Sequence, residues 1–252
     1  TLGAGNHFLE IQAVKKIYDK QKAKEWGIDR TGQIMIMLHC GSRGLGHQIA
    51  TDYLKIQEEA VRKYGIKLAD AQLACAPASS QEGKDFFAAM QCAVNYSFTN
   101  RHIMTHWTRE VFEKIFKKTS KEMGIETLYG ICHNVVKLEE HTVCGKKRKL
   151  FVHRKGATRS FPGEPVLIAG SMGTASYLLQ GTKKAMEISY GSSAHGAGRA
   201  MSRHKALKEF RGEKIKEELS CCGIASKATH PKSLAEEAPK AYKDVDEVIE
   251  SV

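Results

Sequence analysis

The sequence lacks most of the features that would place a chain outside the ordinary globular class. No apolar run approaches the roughly 18–20 residues of a membrane span. The longest, IMIMLHC at positions 34–40, is strand-sized. No signal-peptide pattern is visible, and neither a repeat period nor a low-complexity segment breaks the chain. Seven cysteines are scattered without a CxxC pair, which excludes a disulfide scaffold and points to a reducing cytoplasm. Cys221 and Cys222 lie in a helical charge pattern and read as packing residues. The GxxxxGK[ST] signature is missing, so there is no P-loop. His102 and His106 have the i, i+4 spacing of a zinc hydrolase helix, but Ile103 stands where the HExxH glutamate belongs. That pair reads as solvated or packed, with Trp107 and Phe112 favouring packing.

What is present suits a folded protein with a sizeable core. The chain has 252 residues, 42% hydrophobic and 27% charged. Its formal net charge of +11 points to a polyanionic partner, with simple solubility as the plainer alternative. The positive charge is not spread evenly. It gathers at KKRK (146–149), HRKGATR (153–159) and RAMSRHK (199–205), while the segment from Glu236 onward is acidic.

Periodicity predicts interleaved strands and helices, hence a mixed α+β fold with central β-sheets and flanking helices, and a single domain. HFLEIQAV and LYGICHN read as strands, QIMIML and PVLIAG as buried strands, and HTVCGKKRKLFVH as two strands joined by a Gly-led basic turn. Ile49, Tyr53, Ile56, Ala60 and Tyr64 share one helix face that stops at Gly65. A long helical stretch covers roughly 84–121, with a break expected near 95–100. A basic helix is expected over roughly 199–219, closed by Gly223. Val245, Val248, Ile249 and Val252 follow a helical pattern without a stop signal.

Three histidines share one kind of position. His7 opens a strand-like run, His39 ends one before a glycine turn, and His133 ends another. Side chains at strand ends of open sheets converge on a crevice, and neutral imidazole suits Mn, Fe, Zn, Co or Ni. Hydrogen-bonded strand-end histidines are the competing explanation. HCGSRGLGHQ opens a helix and GSMGTAS follows a strand, so both loops offer backbone N–H groups to phosphate. Arg43 adds a guanidinium to the first. In SSAHGAGRAMSR (192–203), His195 stands among residues with almost no side chain, followed by Arg199 and Arg203. An uncrowded imidazole beside cations suits nucleophilic attack on phosphorus; a general base or a tight turn before a helix remains open.

In order along the chain, GAGNHF, HCGSRGLGHQ, HNVVKLEEH, HRKGATR, GSMGTASY and HGAGR resemble the RtcB-type RNA-splicing ligase family. The resemblance implies a GTP- and Mn²⁺-dependent ligase of RNA, acting on tRNA halves or broken RNA ends. Such an enzyme joins a 3′-phosphate or 2′,3′-cyclic phosphate end to a 5′-hydroxyl through a guanylyl–histidine. It implies His195 as the guanylylated residue and His7, His39 and His133 as Mn²⁺ ligands. Asn6, His7, Phe8, Leu9 and Glu10 would contact the guanylate, with Phe8 against the base and Glu10 a guanine acceptor. His133, Asn134, Ala169, Gly170, Ser171, Met172, Ser176, His195, Gly196, Ala197 and Gly198 would complete that site. Arg43 and Arg199 would hold phosphates of nucleotide or RNA, with Lys155 and Arg159 as weaker candidates.

The chain departs from the family pattern in three places. No Asp-x-x-Cys motif precedes Thr1, the C-terminal lysine that reaches the nucleotide would lie beyond Val252, and the segment between HRKGATRSFPGE and PVLIAG is short. Residues 1–252 therefore read as the central and C-terminal part of one ligase domain, truncated at both ends and expected not to ligate RNA alone. Two other classes remain open: a metal-dependent phosphohydrolase of nucleotides or RNA ends, and a non-catalytic RNA-binding subunit.

Overall fold

Alternation in FLEIQA and the apolar run after Gln33 produce the first two strands, β1 (Phe8–Ala13) and, after the short helix α1 (Lys20–Glu25), β2 (Ile34–His39). They pair antiparallel with Phe8 opposite His39 and Glu10 opposite Met37. These elements belong to a computed structural model that describes residues 1–3 and 5–252. It is an α+β structure, 42% helix and 20% strand. The chain divides into two units, residues 1–3 and 7–130 and, separately, residues 5–6 and 131–252. Among the described residues no helix is long and apolar enough to cross a membrane.

In the first unit the inner face of β1 carries Phe8, Glu10 and Gln12, and its outer face Leu9, Ile11 and Ala13. The apolar run of β2 is less covered than a buried strand would be. Met37 is its one buried residue, and Ile34 is 55% exposed. A ladder of two strands leaves outer residues in water. After β2 come α2 (Arg43–Lys63) and α3 (Gln81–Phe116). The expected face of α2 carries one buried residue, Ala60, and the helix ends at Tyr64 before Gly65.

Ser80 caps α3 by accepting from the Gly83 N–H. The helix then runs unbroken for 36 residues; the break expected near 95–100 is absent. Polar side chains there find partners without disturbing the backbone ladder. The Ser97 hydroxyl donates to the Val94 carbonyl at 2.8 Å, and Asn100 reaches the Gly41 carbonyl at 3.0 Å. His102 and His106 face solvent, as does Trp107 at 53% exposure. His106 Nε2 lies 3.3 Å from Glu110, so the pair is solvated, contrary to the packing expectation.

The second unit opens with a hairpin, β3 (Asn134–Val143) and β4 (Lys146–Lys155). Cys144 and Gly145 form its two-residue turn, at φ 50° and 73°, the paired positive angles of a type I′ turn. LYGIC is not a strand: pairing starts at Asn134, whose partner Lys155 is the last residue of β4. His133 thus precedes a strand instead of ending one. Next come β5 (Ala157–Arg159), β6 (Pro165–Ile168), β7 (Tyr177–Gln180), α4 (Lys183–Ser189) and β8 (Ser192–Ala194). β5 pairs with β8 and β6 with β7, both antiparallel. Among the described residues the sheets are two-stranded antiparallel ladders, so the crevice of an open parallel sheet does not describe how these histidines are placed.

The basic segment after His195 makes two helices, α5 (Arg203–Glu209) and α6 (Gly212–Cys221). Phe210 is extended between them, and Arg199 precedes both. Ser202 caps α5 by accepting from Lys205 N–H at 3.2 Å, which sets its start four residues later than expected. Gly223 follows α6 at φ 74°. Cys221 and Cys222, at the end of α6, are exposed and do not pack. Two more helices, α7 (Pro231–Glu236) and α8 (Val245–Glu250), complete the unit.

The core of this unit has two centres. Ile215, Leu219, Leu234 and Ala238 gather with Met172, Phe210 and Ile224. Ile168, Ala197 and Val245 gather with Tyr177, Leu179, Ala194, Val248 and Ile249. The C-terminal helical pattern therefore packs through Val245, Val248 and Ile249, while Val252 is 59% exposed.

Candidate functional site

In the first unit three rings meet at the start of β1 and the end of β2. The His7 and His39 rings lie edge-on with centroids 5.7 Å apart, and Phe8 meets His39 edge-on at 5.4 Å. Strand register makes the second contact, because Phe8 and His39 are direct partners. The loop after His39 is fixed from α3: Arg101 donates to the Cys40 carbonyl at 3.2 Å and Asn100 to that of Gly41. Burial pushes the Cys40 thiol above its ordinary pKa, against the pull of Arg101. It donates to Met104 Sδ and is a packing group.

Arg43 begins α2 at φ 54°, a left-handed conformation rare for a residue with a side chain. It brings Nη1 to 3.5 Å from His7 Nδ1, the outer limit of a hydrogen bond. Its Nε is buried and has no hydrogen-bond partner among the described residues. Glu10 accepts from Gln12 Nε2 at 2.7 Å. Burial raises the Glu10 pKa by more than that bond lowers it.

The second unit builds its site around His195. β8 delivers it to the end of a ladder; its carbonyl accepts from Ala169 N–H at 3.2 Å, and Ala169 O accepts from Ala197 N–H at 2.9 Å. The small neighbours are packing requirements as well as open space. A methyl at Gly196 would stand 3.0 Å from Ala169 O. The His195 ring stacks on His133, with centroids 4.2 Å apart and 20° between planes. His195 Nδ1 lies 2.7 Å from the Gly156 carbonyl. A carbonyl only accepts, so Nδ1 carries the proton and the lone pair of the neutral ring is on Nε2. Gly156 is held in turn by its N–H to Asn134 Oδ1 at 3.2 Å.

The loop after β6 closes on itself. Gly170 N–H donates to Ser176 Oγ at 3.3 Å and Ser171 N–H to Thr174 Oγ1 at 2.8 Å. A methyl on Gly170 would lie 2.0 Å from the Ala175 carbonyl and 2.4 Å from Thr174 Oγ1. Gly170→Ala is expected to destabilise the protein by about 1–3 kcal/mol, the usual cost of overpacking, in denaturant unfolding. Gly130→Ala, where the added methyl meets nothing within 4 Å, is the control and should sit near wild type.

The second unit thus brings together His133, Asn134, Ala169, Gly170, Ser176, His195, Gly196 and Ala197. Met172 is turned into the α6–α7 core. Gly198 offers its carbonyl to Lys243 N–H. Arg199 is bound within the fold: it donates to the Met201 and Glu236 carbonyls, to Glu237 and to the Tyr242 hydroxyl. Arg159 makes a two-pronged ion pair with Glu164 at 2.8–2.9 Å, and Lys155 is exposed.

Sequence reasoning missed the Gly156 carbonyl and a buried group behind it, Arg154, Glu139 and His141. Arg154 falls in the basic cluster HRKGATR, yet its side chain is 1% exposed. The available signal was the single glycine in HRKGATR, which breaks a basic strand where a carbonyl must turn.

Among the described residues no three His, Cys, Asp or Glu side chains converge as a metal cage. The donor chemistry of the pair His7 and His39 nevertheless suits an ion. Neutral imidazoles are ligands for divalent ions such as Mn²⁺, and these two rings stand with centroids 5.7 Å apart.

Fold and site define an α+β protein whose histidines and arginines are presented by glycine-rich loops and strand ends. The family described as tRNA-splicing ligase RtcB matches residues 1–252, and the chain belongs to that family. It is 52% identical to the tRNA-splicing ligase RtcB of Archaeoglobus fulgidus, across all of this chain and 55% of the relative. Against the same-named protein of Thermococcus kodakarensis the values are 49%, 100% and 55%. Against that of Methanocaldococcus jannaschii they are 50%, 100% and 27%. The chain spans about half, or about a quarter, of the length of these relatives.

Proposed function

We propose that this chain forms part of a cytoplasmic GTP- and Mn²⁺-dependent RNA ligase. It seals a 3′-phosphate or 2′,3′-cyclic phosphate end to a 5′-hydroxyl end, in tRNA splicing or RNA repair. The observation that carries the reading is the hydrogen bond from His195 Nδ1 to the Gly156 carbonyl. It fixes the tautomer that places the ring's lone pair on Nε2, the nitrogen that would attack. In this chemistry Nε2 bonds to the α-phosphorus of GTP, the bond to the bridging oxygen breaks, and pyrophosphate leaves. The guanylyl group passes to the RNA 3′-phosphate, a cyclic end having first been opened by hydrolysis. The 5′-hydroxyl then displaces GMP as the phosphodiester forms.

His7, His39 and His133 would hold Mn²⁺, which when bound supplies Lewis-acid stabilisation of the phosphoryl charge. Phe8 and Glu10 would take the guanine, and the N–H groups of the loop after β6 its phosphate. Arg43, whose guanidinium stands beside His7, would hold a phosphate oxygen. Arg199, held by four hydrogen bonds within the fold, would offer a phosphate its remaining Nη2–H. The exposed run Lys146, Lys147, Arg148 and Lys149 on the hairpin would draw RNA electrostatically.

The test uses a polypeptide carrying this chain at the full length of its relatives, with Mn²⁺ and α-labelled GTP. An acid-labile label on protein, followed by sealing of a 5′-hydroxyl RNA to a 3′-phosphate RNA, supports the reading. Phosphate release without bound label indicates a phosphohydrolase, and salt-sensitive RNA binding with no reaction indicates a binding subunit; either overturns it.

Glu10 gives this reading a pH signature. Only the ionised carboxylate accepts from guanine N1–H and N2–H, and burial raises the pH at which that form is lost. Guanine nucleotide affinity should fall with acidification, at a midpoint above the ordinary glutamate value of about 4.3. Glu10→Gln should weaken binding by roughly tenfold or more, since hydrogen bonds to charged groups contribute about 1.5–3 kcal/mol. It should also remove the acid limb. Titration of a fluorescent GTP analogue across pH checks both.

A further inference from the structure

Behind His195 lies a buried ion group that the proposed chemistry does not use. Arg154 is 1% exposed, His141 2% and Glu139 8%. Arg154 Nη1 and Nη2 donate to the two Glu139 oxygens, each at 2.8 Å. Arg154 Nε donates to Ser192 Oγ at 2.9 Å, and Nη2 also reaches the carbonyls of Tyr190 and Gly191 at 3.0 and 3.3 Å. His141 Nε2, 3.1 Å from Glu139, donates to the same carboxylate. Burial alone would raise the Glu139 pKa, but the bonds from Arg154 and His141 outweigh it and hold the carboxyl below its ordinary value.

Desolvating such charges is expensive, and buried ion pairs seldom stabilise more than an apolar replacement. Their geometry is the informative part. The Arg154 backbone is the second-last residue of β4, two before the Gly156 carbonyl that holds His195 Nδ1. Its side chain grips Ser192, the first residue of the strand that ends one residue before His195. One residue therefore ties together the acceptor that sets the tautomer and the strand that carries the ring.

We propose that Arg154, oriented by Glu139, is a positioning residue for His195, keeping the Gly156 carbonyl and β8 in the register that holds the ring proton on Nδ1. This rests on the ligase reading for its consequence in catalysis, but the positioning itself is measurable without catalysis. The direct readout is the imidazole nitrogen spectrum of His195, from long-range ¹H–¹⁵N NMR at neutral pH. Wild type should show the Nδ1–H tautomer, whereas Arg154→Gln should show a mixture.

In the full-length polypeptide, Arg154→Gln should lower the rate of label transfer at saturating GTP about tenfold or more, with KM for GTP within about twofold. Arg154→Lys should not rescue it, because an ammonium lacks the planar fork that pairs both Glu139 oxygens while a separate Nε–H donates to Ser192. Ser192→Ala, which removes one bond, should show a smaller tautomer shift in a folded protein, and it decides the matter if Arg154→Gln does not fold. An unchanged His195 tautomer in folded Arg154→Gln, or in Ser192→Ala where that variant must stand in, overturns the proposal. Absence of label in wild type would defeat the ligase reading while leaving the tautomer comparison valid.

Discussion

His195→Ala is expected to abolish labelling of the full-length polypeptide by α-labelled GTP, a loss of at least about a thousandfold. Alanine has no lone pair to offer phosphorus, and covalent catalysis has no substitute path once its nucleophile is gone. The ring also contributes a stacking surface for His133 and a bond to Gly156, so the variant should be compared with wild type by circular dichroism before activity is read. His195→Asn separates the roles: its amide can keep a bond to the Gly156 carbonyl but has no nucleophilic nitrogen. It should retain the wild-type melt and take no label. Persistent acid-labile label in either variant would remove His195 from the assigned role.

The largest effect on stability is expected at Ile168. Its side chain is fully buried, the last residue of β6, and it packs with Ala197 and Val245. Ile168→Ala should cost about 2–5 kcal/mol, combining lost transfer energy with the cavity left behind. For a chain of this size each kcal/mol moves Tm by about 2–4 °C, so a fall of roughly 4–20 °C is expected by calorimetry. Because Ala197 and Ala169 flank His195 through the Ala169–Gly196 bridge, relaxation around that cavity should also loosen the nucleophile's backbone. Ile168→Val removes one methylene and should cost only about 0.5–1.5 kcal/mol. A small loss for alanine would mean that the neighbouring C-terminal helix collapses into the space.

Local pattern made much of the fold legible. Strand composition in HFLEIQAV placed β1, a Gly-led turn between basic strands placed the β3–β4 hairpin, and the apolar PVLIAG placed β6. The errors arise where a distant partner decides. LYGIC has strand composition but no neighbour to pair with, so it stays irregular. The stretch 95–100 looks like a helix break, yet α3 continues because Ser97 bonds its own helix and Asn100 bonds the Gly41 loop. Charge pattern extended one helix across 199–219, but Ser202 and Phe210 punctuate it. At the site, composition could isolate His195 and name the glycine loops. It could not reveal that Nδ1 meets a backbone carbonyl 39 residues earlier in sequence, or that Arg154 is buried, because nothing in HRKGATR separates an inward arginine from a wet one.

The packing of Val245 against Ile168 and Ala197 also fixes an order of assembly. A polypeptide leaves the ribosome from its N-terminus, so β6 and the segment containing His195 emerge well before α8 exists. Until Val245 arrives they lack one wall of their hydrophobic centre. The backbone around the nucleophile should therefore mature among the last parts of the second unit, and a nascent chain halted short of Val245 should expose the HGAGR segment to protease.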